Sequence, residues 1–176
     1  MSYGAIARPA VEALSKGAAK AGIWLNTGEG GMSPFHLSGG CDIVFQIGTA
    51  KYGVRDEHGN LSDDKLRKAA AHPEVKMFEL KMSQGAKPGK GGILPREKVN
   101  AEIAEIRGIT VGQDSISPNR HVEINNFANL LDMIAHIREV TGKPVGFKTV
   151  VGSSHAFDEL FDLIDERGRD CAPDFI

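Results

Sequence analysis

Residues 75–82 read VKMFELKM, and this stretch decides between the fold classes that the sequence allows. Successive side chains of a strand point to opposite faces of a sheet. One face of this strand would be partly charged, with Met77, Glu79 and Lys81, and the other would be apolar and suited to packing against helices. A doubly wound sheet is usually apolar on both faces, whereas a TIM barrel allows polar side chains to point inward at the ends of its strands. The stretch therefore favours a barrel.

Apolar runs and amphipathic segments alternate along the rest of the chain. The runs that predict further strands are IWLNT (23–27), DIVFQIG (42–48), PVGFKTVV (144–151) and APDFI (172–176). Segments with helical periodicity lie between them, at 9–21, 62–71, 98–108, 125–142 and 154–168. Strands separated by helices of this length pair in parallel through crossover connections. We expect an α/β fold with about five or six strands, fewer than the eight of a complete barrel.

The segment 125–142 carries the strongest helical pattern. It ends at Gly142, a residue type that commonly follows the last helical turn, and Pro144 lies beyond it. Its predicted apolar stripe consists of Phe127, Leu130, Leu131, Ile134 and Ile137.

Composition limits the class of protein. The chain has 176 residues, of which 41% are hydrophobic and 25% charged, enough for one sizeable core, so we expect a single domain over residues 1–176. The formal net charge of −2 argues against binding to nucleic acid or to an anionic membrane. No apolar run is long enough to span a membrane and no cleavable hydrophobic segment begins the chain, so a cytoplasmic protein is expected.

The two cysteines, Cys41 and Cys171, are far apart and lack CxxC spacing. This pattern argues against a disulfide scaffold, a structural metal site and an iron–sulfur cluster held by this chain alone. It fits a protein that stays in a reducing compartment.

Residues 80–99, LKMSQGAKPGKGGILPREKV, form a glycine-rich and cationic loop after the deciding strand. Its GAKPGKGG segment is one residue too short for a P-loop, and no serine or threonine follows the lysine to bind magnesium, which argues against a nucleoside triphosphatase. The cations of the loop could instead close over a small dianion. They are Lys81, Lys87, Lys90 and Arg96. A solvated loop with lysines for solubility is the alternative.

Two further features lie on or after predicted strands. NTGEGG (26–31) contains glycines that let backbone N–H groups approach a ligand, and Glu29 could accept from an amine or amide. Lys148 stands in an apolar strand on the same face as Gly146, where an ammonium group is costly unless it is paired or reaches a polar cavity. The alternatives are an ordinary glycine turn and a snorkelling structural lysine. His121 has no partner at a ligand spacing and is interpreted as structural.

Several motifs agree, in order, with one family. NTGEGG, KMSQGAKPGKGG followed by LP and KV, IAEIRG and DSISP resemble the flavin-binding TIM-barrel domain of the glutamate synthases. The stand-alone glutamate synthase-related proteins resemble the chain further, in segments similar to SPFHL, AAHPEVKM and KPVGFK. The resemblance covers essentially the whole chain. It implies a partial (β/α)8 barrel that lacks the first strand and the last strands.

The resemblance implies a substrate site. Glu29 and Lys87 match family positions with catalytic roles, and Glu29 would face the substrate. Lys81, Gln84 and Arg107 match positions that line the 2-oxoglutarate site, where the lysines would bind carboxylates and the loop glycines would permit closure.

The resemblance also implies a flavin site. Gln46 and Lys148 match positions that face FMN, and a fixed cation such as Lys148 stabilises an anionic reduced flavin. In the family the FMN phosphate is bound after the last two strands of the complete barrel. We therefore expect FMN to need the complete barrel, and this chain to be colourless and inactive alone. The family cysteines that hold an iron–sulfur cluster are absent.

The implied activity is an FMN-dependent oxidoreductase of glutamate synthase type. Ammonia or glutamine-derived nitrogen would condense with 2-oxoglutarate, and reduced FMN would deliver hydride to the imine. No motif indicates the electron donor. Ile93 and Arg96 depart from the family pattern, which has glutamine and glycine at these positions. They leave open a related FMN barrel that acts on a different 2-oxo acid or imine.

A second alternative is a non-catalytic partial barrel. Its exposed strand edges would pair with another copy of the chain, because an open parallel edge is a template for association. We expect the chain to form a homo-oligomer.

Overall fold

The computed structural model describes residues 1–87 and 89–176. The helices are α1 (Arg8–Ala21), α2 (Pro34–Leu37), α3 (Asp63–Ala70), α4 (Ala101–Arg107), α5 (Phe127–Thr141) and α6 (Asp158–Arg167). The strands are β1 (Leu25–Asn26), β2 (Ile43–Ile47), β3 (Val75–Lys81), β4 (Ile93–Leu94), β5 (Ser115–Ile116) and β6 (Val145–Lys148). Short 3₁₀ turns occupy Arg96–Lys98, Ser154–Phe157 and Arg169–Cys171. The predicted α/β class is confirmed.

Four of the strands form one parallel sheet in the order β1-β2-β3-β6. In its register Glu79 pairs with Gln46 on one side and Gly146 on the other, and Lys81 pairs with Lys148. Paired residues of neighbouring strands point to the same side of a sheet. These side chains therefore share one face, called the inner face below.

The opposite face of the sheet carries the main hydrophobic core, packed against α3, α5 and α6. Its strand residues Phe45, Phe78, Leu80 and Phe147 are at most 2% exposed. Burying each such side chain contributes roughly 1.5–3 kcal/mol. The alternation read in residues 75–82 is thus confirmed, with Phe78 and Leu80 in the core and their neighbours on the inner face.

Helix α5 forms where the sequence predicts it. Asn126 caps the first turn by accepting from Asn129 N at 2.9 Å, and Gly142 ends the helix in the left-handed conformation with φ of 63°. The predicted stripe is buried at Leu130, Leu131, Ile134 and Ile137 and partly buried at Phe127.

Strands β4 and β5 form an antiparallel pair that the sequence does not predict. Ile93 pairs with Ile116 and Leu94 with Ser115. Each strand has only two residues, too few for an alternating pattern to show. The pair fixes the end of the glycine-rich loop. Next to it lies a second, smaller apolar cluster of Tyr3, Val11, Leu94, Val99, Ile103 and Ala104.

The prediction of a strand at 172–176 is wrong. This segment runs beside β6 with backbone hydrogen bonds of 3.0 and 3.2 Å, donated by Asp174 N and Phe147 N, but it forms no regular ladder. Pro173 has no N–H to donate, which is one physical reason. Strand β6 is also shorter than the predicted run 144–151.

None of the helices in the described residues is long and apolar enough to cross a membrane. In residues 1–87 and 89–176, no three His, Cys, Asp or Glu side chains lie close enough together to hold a metal ion. The polar clusters at the strand ends are held by hydrogen bonds and ion pairs instead.

Candidate functional site

Three of the predicted site residues form a hydrogen-bonded cluster at the carboxyl ends of β1 and β3. The Lys81 ammonium donates to Glu29 Oε2 at 3.1 Å and to Gln84 Oε1 at 2.9 Å. The Gln84 amide donates to the two Glu29 oxygens at 2.7 and 2.6 Å. The Lys81 and Glu29 side chains are only 13% and 20% exposed. Solvent and salt screen such a sheltered ion pair only weakly. The bonds from Lys81 and Gln84 therefore hold the Glu29 carboxylate in one place.

Glycines make room for this cluster. A Cβ atom on Gly48 would lie 2.6 Å from the Cβ of Glu29, and one on Gly92 would lie 2.8 Å from Glu29 Oε1. A Cβ on Gly91 would overlap the backbone of Ser117, at 1.5 Å from its carbonyl oxygen. The glycine-rich loop can therefore approach the strand ends only with glycine at 91 and 92, which explains part of its composition, and Gly48 leaves room for the Glu29 side chain.

A cavity of about 170 Å³ opens beside the cluster and is called the acid cavity below. Four of the predicted site residues line it, namely Glu29, Gln84, Lys87 and Arg107. Ile93, which differs from the glutamine of the family pattern, lines it as well. Lys81 lies behind Glu29. Lys90 and Arg96, which the sequence groups with the same loop, are exposed and lie outside this lining.

Arg107, the last residue of α4, is a buried cation with neutral partners. Its Nη1 donates to Ser115 Oγ at 2.9 Å, its Nη2 donates to Tyr3 O at 3.4 Å, and its guanidinium carbon lies 5.0 Å from the centre of the Tyr52 ring. Its Nε has no hydrogen-bond partner, and no carboxylate among the described residues lies within ion-pair distance.

The charge of Arg107 is therefore available to a ligand. Burial lowers the pKa of Arg107, but an arginine remains charged at neutral pH. Arg107 is only 5% exposed, and the Glu29 carboxylate, which favours its charge, lies beyond ion-pair distance, so the cost of burying the cation is only partly offset. An anion in the acid cavity would relieve this cost.

The predicted flavin contacts lie on the inner face of the sheet. The Gln46 amide donates to the buried Glu79 carboxylate at 2.9 Å, and Asn26 donates to the same carboxylate at 3.1 and 3.0 Å. The bond to Glu79 fixes which end of the Gln46 amide is the donor, so its carbonyl oxygen is left to accept from a ligand. Lys148 is exposed and lies beside Lys81 in the register.

A larger cavity of about 630 Å³ lies along the inner face. Apolar residues such as Trp24, Val44 and Met77 line it together with Glu79 and Lys148. An apolar wall with polar groups along one side suits a planar heteroaromatic ring. The residues present therefore fit a flavin ring. The predicted residues thus fall into two groups, around the acid cavity and on the inner face, which meet where Lys81 pairs with Lys148.

Sequence reasoning did not single out Lys51. Lys51, which follows β2, has φ of 54°, is 3% exposed and pairs with Glu123 Oε1 at 2.7 Å. Non-glycine residues with positive φ are uncommon and often occur at functional sites. The available signal is the position of Lys51 just after a predicted strand. His121, interpreted as structural, is 1% exposed and contacts the cluster through its Nε2, 3.0 Å from Lys81 O.

Two buried histidines predict that stability depends on pH. Burial lowers the pKa of both His36 and His121. Below about pH 6.5 the unfolded chain then binds more protons than the folded chain, so the free energy of unfolding should fall as the pH falls toward the folded-state values. Denaturant titrations between neutral pH and about pH 5 check this. His36→Gln should weaken the dependence, whereas His58→Gln, at a side chain 76% exposed, should not. A stability that rises on acidification in this range would contradict the prediction.

Comparison with known proteins is in line with the motifs. A family described as "Conserved region in glutamate synthase" matches residues 1–166. The chain is 45% identical over 177 residues to the glutamate synthase large subunit-like protein YerD of Bacillus subtilis, covering 100% of this chain and 33% of that protein.

More distant relatives carry related names. The chain is 39% identical to the archaeal-type glutamate synthase (NADPH) of Thermotoga maritima and 37% identical to the archaeal glutamate synthase (NADPH) of Methanocaldococcus jannaschii. Each match extends over 150 residues and covers 84% of this chain and 27% of the relative. The chain therefore spans a third or less of the length of these curated relatives. By its family match and its identity to these proteins over most or all of its length, the chain belongs to the glutamate synthase family.

Proposed function

We propose that the chain forms the substrate site and part of the flavin site of an FMN-dependent oxidoreductase of glutamate synthase type, which aminates a 2-oxo acid. The observation that carries this proposal is the buried guanidinium of Arg107, which has no carboxylate partner among the described residues and lines the acid cavity with Glu29 and Lys87. The family membership supports the class of reaction.

The acid cavity is suited to a small organic acid with two carboxylates. The planar guanidinium of Arg107 can bind one carboxylate through two parallel hydrogen bonds. Lys87, on the glycine-rich loop, carries a second positive charge on the cavity wall. The charge of Glu29 is offset by Lys81, at 3.1 Å. Two cations thus remain for the substrate, and 2-oxoglutarate has the matching charge.

Glu29 is placed to handle the nitrogen. Each carboxylate oxygen can accept about two hydrogen bonds, so Glu29 retains acceptor capacity beyond the bonds from Lys81 and Gln84. It would orient ammonia toward the 2-oxo carbon and take a proton from the nitrogen as the C–N bond forms. Loss of water from that adduct gives an imine. The chain's own contribution to this step is the fixed position of Glu29, which the glycines at 48 and 92 permit.

The flavin would lie against the inner face. Reduced FMN, when bound, supplies the hydride that converts the imine to an amine. Gln46 would hold the ring edge through its free carbonyl oxygen. Lys148 would stabilise negative charge on the reduced ring. Four parallel strands with a polar inner face are consistent with part of a (β/α)8 barrel, and further strands would close it around the flavin.

Ile93 favours a second candidate, a related FMN barrel acting on a different 2-oxo acid. Its side chain is 67% exposed and lines the acid cavity where the family has glutamine. We predict that Ile93→Gln strengthens 2-oxoglutarate binding by roughly 2- to 12-fold, the effect of one added hydrogen bond. Calorimetric titration of both proteins checks this. Equal or weaker binding by Ile93→Gln would show that this position does not set the substrate.

Self-association of the chain is a third proposal, for which exposed apolar groups give a reason. Trp24 and Ile176 are 61% and 59% exposed and line the larger cavity on the inner face. We expect the sedimentation coefficient to rise with protein concentration, and Trp24→Glu to reduce that rise. Trp24→Phe is the matched control. A chain that sediments as a monomer at all concentrations would contradict this proposal.

Activity can be tested in a chimera. In this protein, the present chain replaces the matched region of the Thermotoga maritima archaeal-type glutamate synthase (NADPH). We expect the chimera to be yellow, whereas the 176-residue chain alone should be purified colourless. We also expect NADPH-dependent amination of a 2-oxo acid. A folded, yellow chimera that aminates no 2-oxo acid would overturn the proposed function.

A further inference from the structure

Tyr52 is buried at the point where the chain after β2 meets the end of α4. It is 2% exposed, and the guanidinium carbon of Arg107 lies 5.0 Å from the centre of its ring. The backbone makes a parallel contact, since Gly53 N donates to Arg107 O at 3.3 Å. Residues 52–53 thus contact both the backbone and the side chain of Arg107.

Ser115 links the two side chains from another direction. Arg107 Nη1 donates to Ser115 Oγ at 2.9 Å, and Ser115 Oγ donates to the Tyr52 hydroxyl at 2.8 Å. A guanidinium can only donate, so the serine oxygen accepts from Arg107. The serine hydroxyl in turn donates its proton to the tyrosine oxygen.

These contacts restrict the guanidinium without neutralising it. The Tyr52 ring attracts the cation through its π face. The hydrogen bonds through the Ser115 and Tyr52 hydroxyls fix the rotation of the guanidinium plane. A carboxylate partner would fix Arg107 as well, but it would offset the charge that a ligand needs. Ser115 and Arg107 both line the acid cavity, whereas Tyr52 lies behind them.

We propose that Tyr52 and Ser115 are positioning residues that hold the Arg107 guanidinium in the orientation for binding the second carboxylate of a 2-oxo dicarboxylic acid. The proposal rests on the proposed function for the identity of the ligand. It goes beyond that function by assigning the selectivity between dicarboxylic and monocarboxylic acids to two neutral side chains, one of which does not reach the cavity.

The expected effects are graded. Tyr52→Phe keeps the ring and loses the acceptor for Ser115, so the preference for 2-oxoglutarate over 2-oxobutanoate should fall by roughly 2- to 12-fold, as for one hydrogen bond. Ser115→Ala should act similarly. Tyr52→Leu also loses the cation–π contact and should reduce the preference by about 30-fold or more. Ser38→Ala, at an exposed serine on the surface, is the control and should not change it.

The experiment uses the 176-residue chain and two readouts. Calorimetry with 2-oxoglutarate and with 2-oxobutanoate gives the preference. Nitrogen-15 NMR of the ligand-free chain gives the Arg107 Nε–H signal, assigned by its loss in Arg107→Gln. We expect a sharp, slowly exchanging signal in the parent chain and in Tyr52→Phe, and a broadened or averaged signal in Tyr52→Leu. Circular dichroism identifies variants that do not fold, and Tyr52→Phe and Ser115→Ala are the mildest of the set.

The two readouts separate the two proposals. Unchanged preference and an unchanged Nε–H signal in folded Tyr52→Leu would overturn the positioning role. If the parent chain binds neither acid, the proposed substrate class fails, and the NMR signal alone then decides whether Tyr52 positions Arg107. A preference that falls equally in Ser38→Ala would also count against the proposal, because the effect would not be specific to these contacts.

Discussion

Replacing Arg107 with glutamine should weaken 2-oxoglutarate binding by roughly 30-fold or more. Removing one partner of a buried, hydrogen-bonded charge pair costs about 2–5 kcal/mol, and each 1.4 kcal/mol is a factor of ten. The glutamine retains a donor for Ser115 but loses the charge and the two-pronged geometry that a carboxylate requires. Folding should not suffer greatly, because the variant removes a buried charge that makes no ion pair among the described residues and is favoured only at longer range by Glu29.

Titration calorimetry of the parent chain and of Arg107→Gln measures this effect. Arg96→Gln is the matched control, since Arg96 is a nearby arginine whose side chain is 70% exposed and outside the acid cavity. It should bind 2-oxoglutarate as the parent does. Equal losses in both variants would mean that the general positive charge of the region, and not a bound carboxylate at Arg107, attracts the acid.

Replacing Lys148 with methionine should slow reduction of the flavin in the chimera by roughly 100- to 1,000-fold. Loss of one preorganised electrostatic group at a reacting centre typically has an effect of this size. Folding should change little, because Lys148 is exposed on the inner face and makes no ion pair among the described residues.

Stopped-flow absorbance at the oxidised flavin band, after mixing with NADPH, gives the rate. Lys16→Met, at an exposed lysine of α1, is the control for loss of a positive charge elsewhere. The flavin of this variant should be reduced at the rate of the unsubstituted chimera. An unchanged rate in a yellow Lys148→Met chimera would remove Lys148 from the flavin site.

Local patterns predict much of this fold. The alternation in β3 and the apolar stripe of α5 come from residues that are neighbours in sequence, and side-chain burial follows directly from the period of each pattern. The cluster at the strand ends follows from a topological rule, since the carboxyl ends of parallel strands meet at one edge of the sheet. That rule brings together Glu29, Lys81 and Gln84 from distant segments.

Contacts between irregular segments could not be predicted in the same way. The β4–β5 pair, the Lys51–Glu123 ion pair and the contact of Tyr52 with Arg107 join residues that are far apart in sequence, and at least one partner of each lies outside a periodic element. No single-residue preference reports such contacts. At residues 172–176 the sequence predicts a strand that the structure does not form. The composition suits a strand, but Pro173 has no N–H to donate to a regular ladder. The role of Arg107 was implied only by the family resemblance, not by its position at the end of a short helix.

The acid cavity should bind a 2-oxo acid through Arg107. The most direct test is a titration of the nitrogen-15-labelled chain with 2-oxoglutarate, followed by NMR. We expect saturable shifts of the backbone amide signals of Gly92, Ile93 and Ser117, which line the cavity, and of the Arg107 Nε–H signal. Shifts confined to other cavities, such as the one lined by Lys65, Lys68 and His72, or no saturable shift at all, would contradict it.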